Sequence, residues 1–170
     1  MIYMPRLESA PLLRRDGTEL QMNPYAGVLA HRPEILRKWA ELSDTVRFSG
    51  VLPAELKEEM RRSTAAVVGC EFCASLGEPK SEYTDKREAL AVAFAKTVAE
   101  DHRRVDKQTF AELREHFSAE EIVELVATAC FVIMGGQTFG NVMGIESASD
   151  EDALAYEQWR EDQLAKTPAA

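Results

Sequence analysis

The chain has 170 residues, 45% apolar and 29% charged, with 20 Lys and Arg against 29 Asp and Glu, a formal charge of −9. That length suits one domain with its own core, and the composition argues against long disorder. An acidic chain without a basic cluster is a poor partner for nucleic acid or an anionic membrane, and three cysteines are too few for a disulfide-stapled scaffold.

The start, Met1-Ile2-Tyr3-Met4-Pro5-Arg6, lacks the basic and apolar regions of a secretory signal. The longest apolar run, about 127–134, is far short of the roughly 20 residues a bilayer requires. The expected compartment is the cytoplasm. There a Cys-x-x-Cys pair is redox-active or metal-binding more often than a permanent staple.

Residues 1–25 hold Pro5, Pro11, Gly17 and Pro24 with little periodicity and read as an extended arm. Pro33 opens a helix with Ile35, Leu36, Trp39 and Leu42 on one stripe. Pro53 opens the next, with Leu56, Met60, Thr64 and Val67 along one face. After Gly69, residues 70–76 predict a short helical piece, stopped by Gly77-Glu78-Pro79. Asp85 with Glu88 reads as a capping box before Leu90, Phe94, Ala95 and Val98. Asp106 caps a helix through Phe110 and Leu113. Ser118 with Glu121 is a second capping box, opening a stretch over 122–134 that is apolar on nearly every side. Such a helix belongs in a bundle centre or at a subunit interface. Gly135 and Gly136 suggest close helix packing, and an acidic helix over about 150–166 carries Leu154, Trp159 and Leu164. No segment reads as a strand. The expected fold is all-α, a bundle of about six to eight helices: one domain with an arm (1–25), a core (26–146) and an acidic C-terminal helix (147–170).

The chemistry concentrates in Cys70-Glu71-Phe72-Cys73. Three residues apart in a helical turn is one face, which allows a disulfide between a nucleophilic and a resolving thiol. Gly69 places Cys70 at a helix start, where unpaired N–H groups favour a thiolate. Cys70 is then expected to be the more exposed sulfur, open to a reductant, with Cys73 a turn deeper. Against this stands the reading of both as small core residues. Structural zinc would need two further ligands, and the histidines, His31, His102 and His116, lie far off in sequence. No metal and no cofactor are expected. Cys130, within the most apolar segment, reads as core.

From Leu52 to Cys73 the chain resembles the carboxymuconolactone decarboxylase family, and more closely its alkylhydroperoxidase D-like branch. The features are Leu52-Pro53, Glu58 twelve residues before Cys70, Gly69-Cys70, and Cys73. Segments 88–95, 117–125 and 139–146, with His31-Arg32-Pro33-Glu34 upstream, extend the likeness over about 24–146. The resemblance implies an all-α bundle assembling into trimers or hexamers. It implies an antioxidant peroxidase that reduces peroxides through the cysteine pair and is recycled by a thiol reductant, either a protein or a small thiol. By position, Cys73 is the peroxidatic thiol, Cys70 the resolving one, and Glu58 the start of a proton relay.

One departure stands out. The family has His four residues after the second cysteine; this chain has Gly77. His31, His102 and His116 are the available replacements. Glu58 lies about 18 Å along a straight helix from Cys70, so it reaches the thiols only if the chain bends near Gly69. Buried beside a thiol, it would carry a raised pKa and could pass a proton. Three functions are therefore open: a thiol-dependent oxidoreductase, a cofactor-free lyase or isomerase on a small carboxylated or lactone substrate, and a non-catalytic oligomeric protein.

Overall fold

In the computed structural model, residues 6–20 and 22–166 are described; residues 1–5 and 21 of the expected arm, and 167–170 of the C-terminal segment, lie outside them. The α-helical segments in chain order are α1 (Pro24–Leu29), α2 (Pro33–Phe48), α3 (Ala54–Val68), α4 (Glu71–Ser75), α5 (Lys86–Asp101), α6 (Lys107–His116), α7 (Ala119–Cys130), α8 (Phe139–Met143) and α9 (Asp150–Lys166). A π-helical stretch, Phe131–Thr138, joins α7 to α8 in one rod over Ala119–Met143. The fold is all-α, as the periodicity predicts. The only β-type pairing among the described residues is an isolated bridge between Leu13 and Glu19 in the arm.

The helix starts follow their cap residues. Asn23, Asp85, Asp106 and Ser118 each accept a backbone N–H of the first turn. Ser118 with Glu121 forms the complete capping box, and so does Asp106 with Thr109. Asp85 caps alone, because Glu88 turns its carboxylate to Lys80 Nζ at 2.5 Å. The arm lies along the body: Arg6 N donates to Met143 O at 3.0 Å and Ala10 N to Gly27 O at 3.0 Å.

One apolar cluster fills the space between α3, α5, α6 and α7, with Leu56, Met60, Ala91, Phe94, Leu113 and Leu125 at its centre. Another forms around α4, with Cys70, Phe72, Cys73, Leu76 and Ile145 buried, and Tyr25 and Tyr156 packed against it.

Three expectations change here. The α2 stripe does not enter the main core: Ile35 and Leu42 are 42% and 50% exposed, while Leu36 and Trp39 line a cavity. Val67 is likewise exposed at the end of α3. Cys130 is exposed and not core. The rod that carries it is long and apolar enough to cross a membrane by length and composition alone, although its central apolar run is short. Its inner face is a core face, with Ile122, Leu125, Ala129, Val132 and Ile133 buried, while Val123 is 70% exposed.

Candidate active site

Gly69 makes the site possible. With φ +73° it closes α3 in the left-handed conformation, its N–H bonding to Ala66 O while Cys70 N bonds to Ala65 O at 2.9 Å. The chain reverses, so α4 folds back along α3, where the Arg61 guanidinium reaches the carbonyls of Cys73 and Leu76. This is the bend that Glu58 requires.

Cys70 is the N-cap of α4, and its Sγ accepts the Cys73 N–H at 3.3 Å. It is 2% exposed and packs beside Gly140, where a Cβ would stand 3.4 Å from the sulfur. Cys73, 7% exposed, lines a cavity of about 720 Å³; Cys70 is not among the cavity's lining residues. The expected order of exposure is thus reversed: capping turns the Cys70 sulfur inward onto the helix end, and Cys73 faces the cavity. Interaction with the Cys73 side chain and amide holds Cys70 below the ordinary thiol value, while interaction with the Cys70 side chain, burial and the Cys70 charge push Cys73 well up. Of the two thiols, Cys70 is therefore the more readily ionised and Cys73 the one that holds its proton more tightly.

Glu58 is brought to the site through arginine. Arg61 grips its carboxylate with Nε and Nη2 at 2.7–3.1 Å. The same guanidinium donates to Cys73 O at 2.5 Å and Leu76 O at 3.1 Å. It thus ties the carboxylate to two carbonyls at the end of α4. Arg62 Nε donates to Glu58 Oε1 at 3.0 Å, Tyr156 Oη donates to Oε2 at 2.8 Å, and Arg47 Nη2 lies 3.8 Å from Oε2. Burial pushes Glu58 up, but the bonds and charge of Arg61, with Arg47 and Tyr156, prevail and hold its carboxyl down to about 2. This is opposite to the raised value expected of a carboxyl beside a thiol. Glu58 is a fixed anion with three guanidiniums around it, and Glu157 pairs with Arg62 at 2.8 Å.

The place of the absent histidine is filled. A Cβ on Gly77 would stand 3.0 Å from Cζ and Nε of Arg62, and Gly77 has φ +128°. Arginine stays ionised and cannot pass a proton as imidazole does. None of the three histidines lines the cavity. His31 Nε2 pairs with Glu8 O at 2.8 Å in the arm, His102 lies in the exposed turn after α5, and the carbonyl of His116 accepts Arg87 at the end of α6.

Sequence reasoning missed Arg47, Arg61, Arg62, Tyr25 and Tyr156. Tyr25, from α1, packs on Phe72 and Phe139 with ring centroids 6.3 and 5.1 Å away, and its hydroxyl donates to Gly135 O. Burial, then the charges of Cys73 and Cys70, push its phenol up. Trp39, Phe131 and Trp159 complete an aromatic wall, and Asp44, Glu151 and Asp152 also line the cavity. The π-helical stretch is anchored by buried Gln137, whose Nε2 donates to Arg61 O and Thr64 Oγ1 at 2.8 and 2.9 Å. Among the described residues, no three His, Cys, Asp or Glu side chains converge as metal ligands.

No protein-family model matches the chain, and no curated protein matches it. Solved structures do match. The debrominase Bmp8, as a Cys-to-Ala variant in complex with 2,3,4-tribromopyrrole, superposes with a TM-score of 0.71 at 18% identity, over 92% of this chain and 98% of that one. An uncharacterized peroxidase-related protein from Ralstonia eutropha JMP134, described as an alkylhydroperoxidase AhpD core, gives 0.63 at 22% identity, over 75% and 77%. A peroxidase-related protein from Silicibacter sp. TM1040 gives 0.64 at 14%, over 76% and 78%.

The chain has the AhpD-like fold. That fold houses peroxidase-related proteins and a debrominase alike, so the activity has to be argued from the dithiol cavity.

Proposed function

We propose that this AhpD-like protein is a cytoplasmic thiol-dependent oxidoreductase that reduces a small electrophile, in the first place an organic hydroperoxide, through Cys73 and Cys70. The observation that carries the reading is Cys73 on the cavity wall with Cys70 Sγ accepting its amide N–H at 3.3 Å. The Cys73 proton passes to the Cys70 thiolate, Cys70 being the more readily ionised of the two. The Cys73 thiolate then attacks the terminal oxygen of the hydroperoxide: an S–O bond forms, the O–O bond breaks, and the electron pair leaves on the alkoxide. Cys70 next displaces the hydroxyl from the sulfenic acid, forming a Cys70–Cys73 disulfide and releasing water. The Arg61 and Arg47 cations favour the thiolate states. A thiol reductant, protein or small molecule, returns the disulfide to the dithiol.

Titration of free thiols before and after an alkyl hydroperoxide tests this. The reading expects two thiols lost per chain, and none in Cys73→Ser. Unchanged thiols in the parent chain, or full activity in Cys73→Ser, would sink it.

The aromatic wall supports a second reading in which the same dithiol reduces an aryl halide. The halide leaves as HX, the ring gains hydrogen, and the pair becomes the disulfide. The similarity to a debrominase that binds a brominated pyrrole favours this form over the lyase reading, because it uses both sulfurs.

A homo-oligomer is part of the proposal. The apolar rod is only 41% buried along its most apolar window in one chain, and Val123 and Val142 are 70% and 56% exposed. Light scattering should give a multiple of 19.0 kDa.

A further inference from the structure

We propose that Tyr156, on the C-terminal helix, is the proton donor to the departing alkoxide, the step for which neither Gly77 nor Glu58 offers a proton. This rests on the hydroperoxide reading above. Tyr156 lies outside the stretch that resembles the decarboxylase family.

The geometry is specific. Tyr156 lines the same cavity as Cys73 and packs against the apolar cluster that contains both sulfurs. Its hydroxyl is held at both ends: it donates to Glu58 Oε2 at 2.8 Å and accepts from Arg47 Nη2 at 2.9 Å. Arg61 lies over its ring, 5.3 Å from the centroid. The two guanidiniums suit a group that gives up a proton and is then charged; the Glu58 carboxylate opposes that charge and holds the hydroxyl protonated until a stronger base forms. The hydrogen bond to a carboxylate orients the O–H. An alkoxide is a far stronger base than that carboxylate, so it takes the proton when it is formed. The phenolate left behind already accepts from one guanidinium and lies beneath another. Burial raises the phenol above its ordinary value, so it is protonated at neutral pH and acts as an acid, not a base.

The step balances. Cys73 sulfur is oxidised by two electrons as its bond to oxygen forms. The O–O pair goes to the alkoxide, which takes the Tyr156 proton and leaves as the alcohol. Water reprotonates the phenolate. Glu58 does not titrate in this scheme; with Arg47 it is a positioning residue for Tyr156.

The test compares oxidants whose leaving groups differ in their need for a proton. tert-Butyl hydroperoxide expels an alkoxide, whereas peracetic acid expels acetate, which leaves without one. Rapid-mixing thiol oxidation is measured on the full chain and on Tyr156→Phe, which keeps the ring and its packing. The proposal expects a loss of about 10²-fold with tert-butyl hydroperoxide, within the range of a missing general acid, and less than about 3-fold with peracetic acid. Equal slowing with both oxidants would show a structural role and overturn it, and so would no slowing with either. If the parent chain loses no thiols to tert-butyl hydroperoxide, the hydroperoxide reading falls, and this inference with it. If the parent chain reacts but the variant fails to discriminate, only this inference falls.

Discussion

The two apolar clusters are built on opposite plans. Between α3, α5, α6 and α7, Leu, Met, Ala, Phe and Ile meet from four helices with no polar group among the core residues. Around α4 the buried residues include both thiols, and beside them Glu58 and Arg61 are 8% and 3% exposed. Helix α3 serves both. Leu56 and Met60 enter the apolar cluster; Glu58 and Arg61 build the polar network around α4. The apolar region is held by area removed from water, about 25 cal/mol per Å². The thiol region is held by a web in which each charge depends on its partner, so removing one leaves the rest buried and unpaired.

The contrast can be broken most forcefully at its two centres. Leu125→Ala, in the apolar cluster, should cost about 2–5 kcal/mol in urea unfolding and leave thiol oxidation of the folded chain unchanged. Glu58→Ala should cost about 3–5 kcal/mol, because Arg61 is left buried without its anion, and should also impair thiol oxidation. If both variants lower stability and spare the chemistry, the two regions are not distinct.

Acid should separate them next. Glu58 is held at about 2 when folded, against an unfolded value of about 4.3. A depressed folded value gives stability that is full above the unfolded value and is lost as pH falls through the folded one. The window is therefore about pH 5 to 2, and the loss about 3 kcal/mol. Glu58→Gln should flatten the acid limb of stability against pH; an unchanged limb would mean that the carboxylate is not held as described.

A smaller effect is expected at Gly77→Ala. The φ of +128° and the guanidinium of Arg62 3.0 Å from the new Cβ should cost about 1–3 kcal/mol in the same urea unfolding. Cys130→Ser should do least. Its thiol is exposed and far from the pair in sequence, so peroxide should still remove two thiols while the total falls from three to two.

The same contrast explains what is legible in the sequence. Helix spacing, Ser118 with Glu121 and Pro33 announce the bundle, because apolar periodicity and caps are local signals. The cysteine pair is visible as a motif, but which sulfur faces the cavity is not. That depends on Cys70 spending its lone pair on the α4 cap. Glu58 emerges only through a family resemblance, and its ionised state is hidden because Arg61 and Arg62 resemble a solvated helix face. Tyr156 stands 98 residues from Glu58 and carries no local mark.

The most direct test of the account is peptide mapping by mass after one equivalent of alkyl hydroperoxide, on the parent chain and on Cys70→Ser with a sulfenic-acid trap. The account predicts a Cys70–Cys73 disulfide in the parent chain and a trapped adduct on Cys73 in the variant. An adduct on another residue of Cys70→Ser, or a parent chain with all three thiols intact, would contradict it.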